Sequence, residues 1–157
     1  MPSTVSDLDE ATERRLAATL FNATWTLMEK ENRTRDEDDE MLHMAHASRH
    51  HWAQVGLPVN LGRGEWQCSR VYSVLGRPEP ALHHAQRDLD ICLENGIGDW
   101  DLAFAYEALA RAHAVAGDAE RARSYTEQAL ATQIAKDADR NLIMHDLETI
   151  PNQPRFW

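Results

Sequence analysis

Apolar residues recur at helical spacing along almost the whole chain. In the first predicted helix, for example, one stripe is formed by Leu16, Leu20, Ala23 and Leu27. No segment shows the sustained alternation of apolar and polar residues that a half-buried strand requires. The pattern therefore predicts an all-α protein that is roughly 70–80% helical and contains no sheet.

Helix-breaking and helix-capping residues divide this pattern into seven predicted helices. Acidic residues open several of them, proline stands in a first turn, and glycine follows several ends. We expect Ser6 to cap the first helix, and Gly56 and Pro58 to end the second. The predicted helices span residues 6–31, 36–55, 61–75, 78–95, 99–116, 119–135 and 137–150. Because the linkers are short, neighbouring helices should form antiparallel hairpins.

Two segments of the chain repeat at a spacing of 41 residues, and each reads as a helix, a turn with glycine and a second helix. The matched positions are Arg70 and Arg111, Val74 and Val115, Gly76 and Gly117, Ala81 and Ala122, and Leu89 and Leu130. A weaker echo at a spacing of 40 relates residues 41–45 to 81–85, and Gly56 to Gly96. Three hairpins would meet the need of a helical repeat for about three units.

This pattern resembles the tetratricopeptide repeat. The features that carry the resemblance are Tyr72 or His113 in the first helix, Gly76 or Gly117 at the turn, and Ala81 or Ala122 in the second helix. Ala129 matches the second small position of that family, whereas the first unit has Asp88 there. The resemblance implies stacked antiparallel hairpins in a short superhelical array. It divides one domain, 1–151, into a degenerate hairpin at 6–56, repeats at 61–95 and 99–135, and a capping helix at 138–149, followed by a tail at 152–157.

The resemblance also implies a concave groove lined by the first helix of each pair. The residues projected onto it are Arg63, Trp66 and Arg70 from the third helix, and Phe104, Glu107 and Arg111 from the fifth. Guanidinium groups bind carboxylates and phosphates in a bidentate way, and a tryptophan offers a flat apolar anchor. The groove would suit an acidic peptide, a protein segment or an anionic metabolite. In the alternative interpretation, Arg70 and Arg111 both pair with Glu107 and the cluster is purely structural.

A second functional hypothesis comes from the histidine-rich second helix. At 100° per residue, one face collects Asp39, His43, His46 and His50, opposite the expected core face. Imidazoles four positions apart can chelate zinc or a similar ion, which would make this a metal-binding or metal-dependent protein. The residue after His46 is alanine, so the general base of a metalloprotease motif is missing. Solvated histidines and adventitious metal binding are the other interpretations.

His51 should lie at the edge of the core and therefore needs a hydrogen-bond partner or must stay neutral. A structural histidine with a satisfied partner is one interpretation. A residue of a ligand pocket beside Trp52 is the other.

Composition narrows the function classes. The chain has 26 acidic and 16 basic residues and a net charge of -10, which disfavours binding to nucleic acid or to an anionic membrane. The first ten residues lack the positive start and apolar run that we expect of a signal peptide, no apolar run reaches membrane-spanning length, and the two cysteines lack metal-ligand spacing. We therefore expect a cytoplasmic protein.

The sequence also lacks a glycine-rich phosphate loop, a serine nucleophile elbow and other catalytic signatures. It therefore predicts an interaction module without a cofactor, not an enzyme. The chain ends in Arg155, Phe156 and Trp157, and terminal aromatics need a surface that receives them. We expect the tail to pack on its own chain or on a second copy, as in a homodimer.

Overall fold

Seven α-helices and no strand make up the part of the chain that the structure, a computed structural model, describes: residues 7–153 and 155–157. The helices are α1 (Glu10–Met28), α2 (Arg35–Val55), α3 (Pro58–Val74), α4 (Pro78–Glu94), α5 (Asp99–Val115), α6 (Ala119–Ala131) and α7 (Asp137–Glu148). They hold 77% of the described residues, so the predicted all-α fold is confirmed.

The first two helices begin at side-chain caps. Asp9 caps α1 and accepts a hydrogen bond from the amide of Thr12 at 2.8 Å. The predicted cap, Ser6, lies outside the described residues. Thr34 and Glu37 form a reciprocal capping box that starts α2 one residue earlier than the acidic run suggests.

The boundary between α2 and α3 differs from the prediction. Pro58 was expected to help end α2, but it is the first residue of α3. Proline is favoured there because its ring fixes a helical φ and the missing N–H has no partner in a first turn. The amide of Leu57 is satisfied by the side chain of Asn60 at 2.9 Å.

Consecutive helices pack on each other as hairpins, and the first helices of neighbouring hairpins also meet: α1 on α3, α3 on α5, and α5 on α7. Six of the 17 residues of the central helix α5 are alanine, which lets several helices approach it closely. Its fully or almost fully buried alanines are Ala103, Ala105, Ala108, Ala110, Ala112 and Ala114. Ala81 and Ala122, the small positions of the two repeats, are both fully buried, as predicted.

The turns of the two repeated hairpins are alike. Gly76 and Gly117 have positive φ angles of 71° and 81°. In each turn the amide after the glycine donates to the carbonyl five residues earlier, at 2.9 Å. The predicted equivalence of Gly56 and Gly96 is wrong, because Gly56 has φ -79° and Gly96 has φ 64°.

A pair of stacked rings recurs behind each of these turns. Tyr72 stacks on His84 with centroids 5.6 Å apart, and His113 stacks on Tyr125 at 5.5 Å. These two pairs are 41 residues apart, and the tyrosine and the histidine have exchanged places. The same inter-helix contact is thus made twice with different side chains.

The apolar stripe predicted for α1 is only half-buried. The buried residues of α1 are Glu13, Ala17 and Thr24, none of which belongs to that stripe. The reason is a close, polar contact with α2, in which the hydroxyl of Ser48 donates to the carbonyl of Ala17 at 2.7 Å. The leucines lie beside this contact, on the flanks of an end hairpin.

The tail packs on its own chain. Ile150 is buried, and Trp157 packs against the core between α5 and α7. The guanidinium carbon of Arg123 lies 4.2 Å from the ring of Phe156. The homodimer stays a prediction. None of the helices in the described ranges is long and apolar enough to cross a membrane.

Candidate functional site

A recessed cavity of about 370 Å³ lies where α1, α3, α5 and α7 converge, with one contribution from α4. Its lining residues are Phe21, Trp25, Arg63, Trp66, Asp88, Trp100, Asp101, Phe104, Leu142, His145 and Asp146. Three of the six predicted groove residues, Arg63, Trp66 and Phe104, are among them. A wider depression between α5 and α6 is more open to solvent and lined largely by polar side chains.

Aromatic rings form a continuous wall of this cavity. The ring centroids of Trp25 and Trp66 are 5.7 Å apart, and those of Trp66 and Phe104 are 5.8 Å apart in an edge-to-face arrangement. Trp100 meets Phe104 edge to face at 6.2 Å, and Phe21 is the fifth ring of the lining. Such tilted contacts are the favoured geometry of aromatic pairs. Three different helices supply the wall.

Arg63 is held at this wall by a carboxylate. Its Nε and Nη2 donate to the two oxygens of Asp101 at 2.9 and 3.1 Å, which is a bidentate ion pair. Its guanidinium carbon lies 4.3 Å from the ring centroid of Trp100. The charge of Arg63 is therefore compensated within the chain.

A second ion-pair network lies behind Trp66. The carboxylate of Glu107 is fully buried and accepts from Arg111 Nε at 2.7 Å, Trp66 Nε1 at 3.1 Å and Arg70 Nη1 at 3.3 Å. Arg70 also donates to both oxygens of Asp146 at 3.0 and 3.1 Å. These are the pairings of the structural interpretation, so Arg70 and Arg111 are not free to receive an anion.

The network ties α7 to the array. Arg111 Nη2 donates to the hydroxyl of Thr149 at 2.8 Å and to the carbonyl of Asp146 at 3.0 Å. Burial acts to raise the pKa of Asp146, but the charge and hydrogen bonds of Arg70 and the charge of Arg111 hold it below its usual value. For Glu107, burial outweighs the charge of Arg111 and raises the pKa.

Asp88 is the one carboxyl group of the cavity that lacks a cationic partner among the described residues. It is 4% exposed, and within the described part of the chain its side chain accepts a hydrogen bond only from the thiol of Cys92, at 3.8 Å. A Cβ at Gly62 would lie 2.9 Å from its Oδ1, so glycine leaves the room for this carboxyl group. Burial raises the pKa of Asp88 well above its usual value, and the charge of Asp101 adds to the shift.

Sequence reasoning missed four important cavity residues: Trp25, Asp88, Trp100 and Asp101. Trp25 precedes Trp66 by 41 residues, so extending the repeat spacing upstream would have found it. Asp88 was recognised only as a departure from the repeat pattern. Trp100 and Asp101 lie in the first turn of α5, where acidic residues are common for helix capping alone.

The predicted metal-binding face of α2 is not assembled as expected. His46 is half-buried between α2 and α3, where its Nε2 is 2.8 Å from the hydroxyl of Tyr72 and its Nδ1 is 3.8 Å from the sulfur of Cys68. Burial lowers the pKa of His46, and the nearby charge of His84 adds to the effect. The other three predicted ligands, Asp39, His43 and His50, are exposed. In the described ranges, no three His, Cys, Asp or Glu side chains form a group that could hold a metal ion.

Two other histidines bind buried glutamates. Nδ1 of His51 is 2.5 Å from Glu13, which gives this core-edge histidine the hydrogen-bond partner that it needs. Nδ1 of His84 is 2.6 Å from Glu65, which also accepts from Arg49 at 3.0 Å. Burial acts to raise the pKa of Glu65, but the hydrogen bond and charge of His84 and the charge of Arg49 hold it below its usual value. Both contacts join neighbouring helices.

Comparison of the chain with family models, curated proteins and solved structures gives no match. The chemistry of the cavity wall is therefore the basis on which its function can be inferred.

Proposed function

We propose that the protein is a tetratricopeptide-repeat-like binding module that holds a small organic ligand in the cavity between α1, α3, α5 and α7. The observation that carries the proposal is the convergence of five aromatic rings and a buried carboxyl group on one recess of about 370 Å³. Pockets for small ligands have this size and make-up: an apolar, aromatic lining with a few polar groups that fix orientation.

The arrangement is difficult to explain by packing alone. Protein interiors are close-packed, and a recess lined by large rings forgoes contacts that smaller or rearranged side chains would make. Trp25, Trp66 and Trp100 come from three different helices, so the recess exists only in the assembled array. Fixed aromatic faces bind a ligand at low entropic cost, which supports a binding role.

The charge of the wall does not favour the anionic ligand that the sequence predicts. Each predicted anion-binding arginine is paired: Arg63 with Asp101, Arg70 with Asp146 and Glu107, and Arg111 with Glu107. An anion would have to displace one of these carboxylates or bind next to it, and like charges repel strongly in a recess of low dielectric constant. Aromatic contact is therefore the main attraction that the cavity offers.

The test is a binding experiment with a neutral, an anionic and a cationic aromatic compound. The protein, with ¹⁵N-labelled indoles, is titrated with benzyl alcohol, benzoate and benzyltrimethylammonium. We expect at least one compound to shift the resonances of Trp25, Trp66 and Trp100 saturably, while those of Trp52 and Trp157, which do not line the cavity, change little.

Trp25→Leu should abolish the response, and Trp52→Leu is the matched control. If none of the three compounds shifts the cavity indoles, or if Trp52→Leu weakens binding as much as Trp25→Leu does, the proposal is wrong.

A further inference from the structure

We propose that the cavity selects an organic ammonium ion, which the aromatic wall surrounds and the carboxyl group of Asp88 neutralises. The inference rests on the proposed function, because it requires that a ligand enters the cavity. It adds the chemical class of that ligand: a trimethylammonium or alkylammonium group.

The rings of the wall already attract cations from the chain itself. The guanidinium carbon of Arg63 is 4.3 Å from the ring centroid of Trp100, and that of Arg70 is 5.9 Å from Trp25 and 5.8 Å from Trp66. All three distances fall within the roughly 6 Å at which a ring quadrupole attracts a cation. Arg70 does not line the cavity, so the recess itself remains open to a further cation.

Charge balance points to the same class of ligand. The cavity and the network behind it contain three guanidinium groups and four carboxyl groups: Arg63, Arg70 and Arg111, with Asp88, Asp101, Glu107 and Asp146. Each of the three guanidinium groups forms an ion pair with Asp101, Asp146 or Glu107. In the described ranges, Asp88 is the one carboxyl group of the four that has no guanidinium partner. A cationic ligand would supply the missing charge.

The position of Asp88 is unusual for a residue with a structural role. It stands where the second repeat has the fully buried Ala129, so the array does not need a carboxyl group there. A buried carboxyl group lowers stability when its only partner among the described residues is the weak thiol donor of Cys92. Gly62, on the facing helix, leaves room for it. A carboxylate beside aromatic rings is well suited to a trimethylammonium group, which carries a positive charge but has no N–H to donate.

Binding of a cation should be coupled to proton release. Burial and the charge of Asp101 raise the pKa of Asp88, and a cation beside it would lower that pKa again. Affinity should therefore rise with pH, by up to about tenfold per pH unit, until Asp88 is ionised in the free protein. The other titratable or charged groups around Asp88 and the cavity are Arg63, Glu65, Cys92, Asp101, Glu107, His145 and Asp146.

The experiment compares choline with its neutral isostere 3,3-dimethyl-1-butanol, in which carbon replaces the charged nitrogen. Both are titrated into the full chain and into Asp88→Asn, with indole resonances and calorimetry as readouts. We expect the wild type to bind choline at least about tenfold more tightly than the alcohol, and Asp88→Asn to lose most of this preference, because only the attraction of the rings then remains. Asp90→Asn, a half-buried aspartate of the same helix outside the cavity, is the matched control and should keep the preference.

Two further variants keep the result interpretable. Asp88→Ala introduces the residue of the second repeat and replaces Asp88→Asn if the latter does not fold. His145→Gln removes the lining imidazole and should leave the pH dependence of choline affinity unchanged. A peptide carrying trimethyllysine is titrated in parallel. Tighter binding of choline would identify the ligand as a free ammonium compound, and tighter binding of the peptide would identify it as a protein side chain.

The outcomes separate the two proposals. Equal binding of choline and the alcohol by the wild type overturns the selection of a cation. A choline preference that is undiminished in Asp88→Asn overturns the role of Asp88 in that selection. Either result leaves a ligand-binding cavity. Failure of the choline, alcohol and aromatic probes to shift the cavity indoles overturns the proposed function, and the cation selection with it.

Discussion

Replacing Arg70 by methionine tests whether the network behind Trp66 is structural. The change keeps an apolar stem of similar length and removes three hydrogen bonds of 3.0, 3.1 and 3.3 Å to Asp146 and Glu107. The side chain is 14% exposed, so the charges left behind are poorly solvated. Removing one partner of a buried pair costs about 3–5 kcal/mol. Arg111 lies 3.8 Å from Asp146 and compensates in part, so we expect a loss near the lower end, about 3 kcal/mol.

Urea unfolding followed by tryptophan fluorescence measures this loss, provided that the variant and the wild type share one m-value. Arg121→Met is the matched control, because its side chain is 71% exposed, and it should change stability by about 0.5 kcal/mol or less. The pKa of Asp146 is lowered in the folded state, so its contribution is complete above its unfolded value of about 3.9 and disappears as the pH falls through the folded value. The difference between Arg70→Met and the wild type should therefore shrink in acid.

Two results would refute this reasoning. One is a loss for Arg70→Met no larger than that for Arg121→Met. The other is a rise in the melting temperature of the wild type, but not of Arg70→Met, on addition of inorganic pyrophosphate. The second result would restore the anion-binding role that the sequence predicts for Arg70.

Three further predictions concern packing and ionisation. Gly64→Ala should lower stability by up to about 2 kcal/mol. Its Cβ would lie 3.0–3.2 Å from Cγ, Cβ and Cα of Arg49, which costs about 1–3 kcal/mol, and the better helix propensity of alanine returns about 1 kcal/mol. Gly98→Ala, with no atom within 4 Å, should be nearly neutral, and equal unfolding midpoints for the two variants would contradict this. Burial raises the pKa of Cys68 to about 12, so a thiol reagent at pH 8 should label it only on unfolding, not within minutes in the folded protein. An NMR titration should place the pKa of His46 below its usual value of about 6.5. The contribution of the neutral imidazole to stability should therefore be lost as the pH falls below about 6.5, where the unfolded chain takes up the proton first. A pKa at or above 6.5 would contradict a buried, neutral imidazole.

The fold could be predicted because its signals are local. Helical periodicity and the glycines with positive φ, Gly76 and Gly117, are readable from the chain, and the helices begin and end near the expected residues. Errors arose where one residue type serves two purposes. Proline is common both just after a helix and in a first turn, so the sequence predicts that Pro58 closes the second helix, whereas it opens α3. The polar contact between α1 and α2 was invisible to an apolar pattern, since its centre includes Ser48 and Glu13.

The site was predicted only in part because it depends on tertiary packing. The face of α3 that bears Arg63 and Trp66 follows from spacing along one helix, and the structure does place it at the cavity. The stacking of the hairpins determines the residues that contact that face, and it brings Asp101 into an ion pair with Arg63. Helix packing also determines the surroundings of His46. Its imidazole points toward α3 and meets the hydroxyl of Tyr72, although the pattern along α2 predicts a face opposite the core.

The departure at Asp88 gives a final prediction that separates a structural from a ligand-binding role. Replacing a carboxyl group that has a structural role lowers the free energy of unfolding of the protein. Asp88 should behave in the opposite way, because its pKa is raised in the folded state: its stabilising contribution is complete below the unfolded value of about 3.9 and is lost as the pH rises toward the folded value. Relative to the wild type, Asp88→Asn should gain about 1.4 kcal/mol per pH unit over that range, measured from urea midpoints between pH 4 and 7. A variant whose relative stability does not rise with pH would indicate that the carboxyl group is paired in the free protein, and the case for a cationic ligand would lose its basis.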